Sequence, residues 1–89
     1  MESVERFKEI TQEMVSTYIA KNHDYGNSFD KGCDEFGIIS AVIRMNDKMN
    51  RLKEIVKGKE LKVDESAYDT LKDLANYCIL SIMWLEKQK

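Results

Sequence analysis

The chain has 89 residues, a formal net charge of -2, 34% charged and 43% hydrophobic side chains. That length holds one domain with a modest core, and the composition is that of an ordinary globular protein. The charge argues against coating long DNA or RNA, which needs a basic face, and leaves room for a small nucleotide in a local pocket.

The first predicted element is a helix over 3–22. Val4, Phe7, Ile10, Met14, Val15, Tyr18 and Ile19 follow helical periodicity, with Glu5, Glu9, Glu13 and Lys8 off the stripe. The segment 21–30 reads as a loop, because Asn, Asp, Gly and Ser end a helix and favour turns. Asp24 and Ser28 carry polar groups there, while Tyr25 and Phe29 offer stacking faces on either side of Gly26. Either this is an ordinary polar loop or it holds a ligand.

A second helix is predicted over 34–57, stopped by Gly58 and finished by the basic residues Lys53 and Lys57. Gly37 does not interrupt it in this reading. Arg44, Asp47 and Arg51 share one ridge, with Lys48 beside them. Asp47 with Arg51 makes an ordinary surface ion pair. Alternatively the cations neutralise phosphate while Asp47 helps to hold a metal.

The third helix is predicted over 64–87, with Asp64 suited to the N-cap. Glu65, Asp69 and Asp73 recur every four residues, which stacks three carboxylates on one ridge. The ridge is either a solvated acidic face or a cradle for a hard cation such as Mg²⁺, which wants oxygen ligands and phosphate co-ligands. Asn76 and Tyr77, one turn further on, can hydrogen-bond a ligand at the same end. The run from Cys78 to Leu85 is apolar on nearly every side, so a partner subunit is expected to cover it.

The expected fold is therefore all-α: a three-helix chain forming a helical bundle completed by homo-oligomerisation, in a single domain over 1–89. Cys33 and Cys78 lack metal spacing and read as reduced thiols of a cytoplasmic protein. The first residues show no charged-then-apolar leader, and the longest apolar run is too short to span a bilayer, so no membrane role is expected.

Three blocks carry a resemblance. They are Lys-x-x-Asp-Tyr-Gly-x-Ser-Phe at 21–29, Arg-x-Asn-Asp-Lys-x-Asn-Arg-Leu at 44–52 and Glu-Ser-x-x-Asp-Thr-Leu-x-Asp-Leu-Ala-Asn-Tyr at 65–77. Together they resemble the nucleotide-modification-associated domain of phages and bacteria. That domain is similar in turn to the MazG-like all-α nucleoside triphosphate pyrophosphatases, oligomeric helical bundles that hold Mg²⁺ between acidic residues of two facing helices. The resemblance implies an enzyme cleaving a nucleotide phosphoanhydride, with Mg²⁺ as cofactor and, for a phage protein, the host cytoplasm as its location. Glu65, Asp69 and Asp73 would be catalytic, and Asp47, Asp69 and Asp73 would hold the metal. Lys21, Asp24, Tyr25, Ser28, Phe29, Arg44, Lys48, Arg51, Asn76 and Tyr77 would bind the nucleotide. Two departures stand out: the last acidic pair is spaced by four residues instead of three, and the second helix lacks paired glutamates. The alternative is a binding protein that holds a nucleotide without cleaving it, for instance to sequester a signalling, even cyclic, nucleotide in phage counter-defence. A purely structural helical assembly is the third possibility.

Overall fold

The computed structural model describes residues 2–21, 28–58 and 65–89. Four helices make up these residues: α1 (Glu2–Ala20), α2 (Asp30–Phe36), α3 (Ile39–Lys57) and α4 (Glu65–Lys87). The chain is all-α, as its periodicity predicts, and no strand occurs among the described residues.

The single helix expected over 34–57 is in fact two, so the three-helix count is corrected to four. The cause is Gly37, which adopts φ 84 and ψ -173. Only glycine occupies that region without strain. Its N–H donates to the Cys33 carbonyl at 2.7 Å and closes α2; its own carbonyl then accepts from the Ser40 N–H at 3.0 Å and starts α3. Helix α2 also begins earlier than expected, at Asp30, whose charge suits a helix N-terminus.

The core gathers Phe29, Cys33, Ala41, Leu80 and Trp84, with Tyr18, Met45 and Tyr77 packed against it. Helix α3 packs along α4, and α2 folds back onto both. Two side-chain links tie α2 to the end of α4. The Trp84 Nε1–H donates to Asp34 Oδ1 at 2.8 Å, and the Lys87 Nζ donates to Asp30 Oδ2 at 2.8 Å. Gly32 allows the close approach of α2 to the start of α3, because a Cβ there would meet the Ser40 hydroxyl at 2.7 Å.

Helix α1 leans on α4 through Met14 and Tyr18, braced by a Lys72–Glu13 ion pair at 3.0 Å. The hydrogen bond from Lys72 holds the Glu13 carboxyl below its ordinary range. Residues 2–9 of α1 are exposed along their whole length. Cys33 is buried and Cys78 exposed, both as free thiols; burial pushes the Cys33 thiol upward and keeps it protonated.

The Cys78–Leu85 stretch divides. Leu80, Ser81 and Trp84 turn inward, and Ile79, Ile82, Met83 and Leu85 face outward. Part of the apolar surface expected to need a partner subunit is thus covered by α2 and α3 of the same chain.

Candidate functional site

Helix α3 presents Arg44, Asp47, Lys48 and Arg51 at three- and four-residue steps, and Tyr77 of α4 closes the same space from the side. The five side chains line an open cleft of about 370 Å³. Arg44, Lys48 and Arg51 outnumber Asp47 in its lining, although Lys48 is also paired with Asp73 from outside the cleft.

Arg44 is the best-held group in it. Its Nη2 donates to the Ser28 hydroxyl at 3.2 Å and reaches the Ser28 carbonyl at 3.5 Å. Its guanidinium carbon lies 5.8 Å from the Phe29 ring centre and 5.9 Å from that of Tyr77. Those rings are themselves stacked, 6.0 Å apart at 14°. Cation–π attraction and the serine therefore fix the guanidinium before any ligand arrives. Phe29 is fully buried, so it supports Arg44 from beneath and offers no face to a base.

Lys48 pairs with Asp73 across the α3–α4 contact at 3.0 Å, both side chains about one-third exposed. Asp73 also belongs to a second cleft on another face of α4. There it lies with Lys21 and Thr17 from the end of α1 and with Asp69, Lys72 and Asn76. The acidic ridge is real, but lysines from three segments face it. Their charge offsets the repulsion between Asp69 and Asp73.

The expected metal set of Asp47, Asp69 and Asp73 is not brought together. Asp47 lines the arginine cleft, and the other two line the second one. Among the described residues no group of three or more His, Cys, Asp and Glu side chains is placed to hold a metal ion. Asp73 has Lys48 as its counter-charge in this arrangement. Asp24 and Tyr25 lie outside the described residues, and so does the side chain of Glu65.

Of the residues expected from the sequence to hold a nucleotide, Arg44, Lys48, Arg51 and Tyr77 line one cleft, and Ser28 touches it through Arg44. Sequence reasoning misses Lys72 and Thr17. The signal for Lys72 was its position three residues after Asp69 and four before Asn76, which places it beside both on a helix.

The family described as nucleotide modification associated domain 1 matches residues 21–85. The chain belongs to this family. The family's span covers Ser28, Phe29 and every residue of the arginine cleft, and it begins just after α1. No curated protein and no solved structure matches the chain significantly. Among the described residues no helix of this family member is long and apolar enough to cross a membrane.

Proposed function

We propose that this domain binds a nucleotide through its phosphate groups, on Arg44, Lys48 and Arg51, and does so without cleaving it. The observation that carries this reading is the pre-fixed Arg44 guanidinium, held over two stacked rings beside two further cations in one cleft. Guanidinium groups match phosphate oxygens in a bidentate way, and holding one in place in advance lowers the ordering cost of binding. The family's description, which ties it to nucleotide modification, supports the ligand class. A binder of this kind suits sequestration of a signalling nucleotide, linear or cyclic, by a phage protein in its host's cytoplasm.

The resemblance to MazG-like pyrophosphatases, read from the sequence blocks alone, would favour hydrolysis instead. That chemistry needs a cation cluster to activate water and steady the leaving phosphate, and the described carboxylates do not assemble one. One experiment separates the two readings. The protein is incubated with a pool of nucleotides, with Mg²⁺ or with chelator, and bound and cleaved fractions are analysed by chromatography. Bound, uncleaved nucleotide in both conditions supports the proposal, and Mg²⁺-dependent release of pyrophosphate refutes it. Arg51→Ala is expected to weaken binding by about 1.5–3 kcal/mol, the range for charged hydrogen bonds, with an affinity that falls as salt rises. Unchanged affinity in that variant would remove the arginine cleft from consideration.

We also propose that the chain works as a homo-oligomer. Phe7 and Ile19 on α1 are 71% and 70% exposed, and Ile82 on α4 is 56% exposed, amid further exposed Val, Ile and Met side chains. Exposing this many large apolar side chains is a reason to expect that another copy of the chain covers some of them. Light scattering is expected to give at least twice the chain mass, and Ile82→Glu is expected to lower it by placing a charge in the contact. A monomer at micromolar concentration contradicts the idea.

A further inference from the structure

Asn76 has no role in the phosphate cleft, and its surroundings are unusual. It is only 7% exposed, and its Nδ2 has no hydrogen-bond partner. A buried donor left unpaired lowers stability, and a leucine of similar size would avoid that loss. Asn76 also forms part of two adjoining spaces between α1 and α4. One is apolar, about 220 Å³, walled by Val15, Tyr18, Ile79 and Met83 among others. The other is polar, about 320 Å³, with Lys21, Asp69, Lys72 and Asp73. Asn76 stands at their junction, since it lines both.

We infer that this α1–α4 cleft is a base-recognition subsite, in which the Asn76 amide reads the hydrogen-bonding edge of a nucleobase lying between the apolar walls. The inference rests on the nucleotide-binding reading above and extends it from the phosphate to the base. A nucleobase is flat and apolar on its faces, and it carries ring nitrogens or carbonyl oxygens along its edge. The faces match Val15, Tyr18 and Ile79, and an edge acceptor is what the Asn76 donor, closed to solvent without a ligand, would gain by turning its amide toward the cleft. An asparagine amide can pair with a base edge through two hydrogen bonds at once. Asp69 and Asp73 can accept from sugar hydroxyls, since an ionised carboxylate is an acceptor only. The Lys48–Asp73 ion pair joins the two clefts, because Lys48 lines the arginine cleft and Asp73 lines this one. A nucleotide with its phosphate on α3 therefore has a route over that pair to Asn76.

The test measures binding of inorganic pyrophosphate and of the 5′-monophosphates of adenosine, guanosine, cytidine and uridine by calorimetry. Pyrophosphate has no base and reports on phosphate binding without base contacts. The unmutated protein is expected to prefer one monophosphate over another by about tenfold or more, as a good amide–base pair gives. Asn76→Leu is expected to erase that preference and to melt no lower than the unmutated chain. Nitrogen-15 NMR of the unmutated protein gives a reading that needs no variant. The Asn76 side-chain NH₂ signal should move on adding the preferred monophosphate and stay put with pyrophosphate. A protein that binds pyrophosphate and all four monophosphates equally overturns the base subsite and leaves the phosphate site standing. A preference that survives Asn76→Leu, or an Asn76 signal that responds equally to pyrophosphate, also overturns it. Binding of neither pyrophosphate nor any monophosphate defeats the phosphate reading and this one together.

Discussion

Phe29→Ala should destabilise the domain by about 3–5 kcal/mol, the usual cost of truncating a buried phenylalanine. The ring is fully buried against Cys33, Ala41, Leu80 and Trp84, so its loss opens a void that no solvent-exposed neighbour can fill without moving the backbone. Small domains have only about 5–15 kcal/mol in total, so a large part of the stability is at stake. The same substitution should weaken nucleotide binding, because it removes one of the two rings beneath the Arg44 guanidinium. Phe29→Leu separates the effects. It keeps most of the apolar volume, and about 1.5 kcal/mol or less is expected from the swap, yet it lacks the stacked face. Urea denaturation of both variants gives the stability, and a nucleotide titration under folding conditions gives the affinity. A loss below about 1 kcal/mol for Phe29→Ala, against the core values above, would mean that the ring is not the keystone of this core.

Phe29 also shows where the sequence stops being legible. Next to Gly26, Asn27 and Ser28 it reads as a loop aromatic awaiting a ligand. Its burial comes from Tyr77, forty-eight positions along, and from α2, and no local pattern encodes that contact. Gly37 is a similar case. A glycine within a helical run is usually tolerated, and only its backbone angle decides that the run breaks. Features confined to one helix were easier. The Arg44–Asp47–Lys48–Arg51 ridge and the Asp69–Asp73 ridge follow directly from helical spacing, and the helices leave them there. Which charges face those ridges is a property of packing. Lys48 opposite Asp73 gives the acidic ridge a counter-charge, and that pairing is invisible from either helix alone. The same holds for the apolar half of α4, where composition shows that burial is needed and packing decides which side stays within the chain.

Trp84→Ala is expected to cost a similar 3–5 kcal/mol, with a different signature. The indole is 8% exposed and does two things at once: it fills the space between α2 and α4, and its N–H donates to Asp34 at 2.8 Å. Helix α2 has only seven residues, far below the length at which a helix holds itself together in water. Its order depends on what it touches, and its contacts to the end of α4 are Trp84–Asp34 and Lys87–Asp30. The Lys87–Asp30 pair is open to solvent, which screens it, so it contributes little. The tryptophan therefore dominates this attachment. Removing it should release α2 ahead of the α3–α4 pair, so the amides of 33–36 should exchange hydrogen much faster while those of central α4 change least. Trp84→Phe keeps the packing and drops the hydrogen bond, and about 0.5–1.5 kcal/mol is expected. Asp34→Ala should match that smaller figure, and the double variant should cost little more than either single one, since both remove the same bond. If α2 stays as protected as α4 in Trp84→Ala, the anchoring role passes to Phe29 and Cys33, and the hydrogen bond to Asp34 becomes incidental.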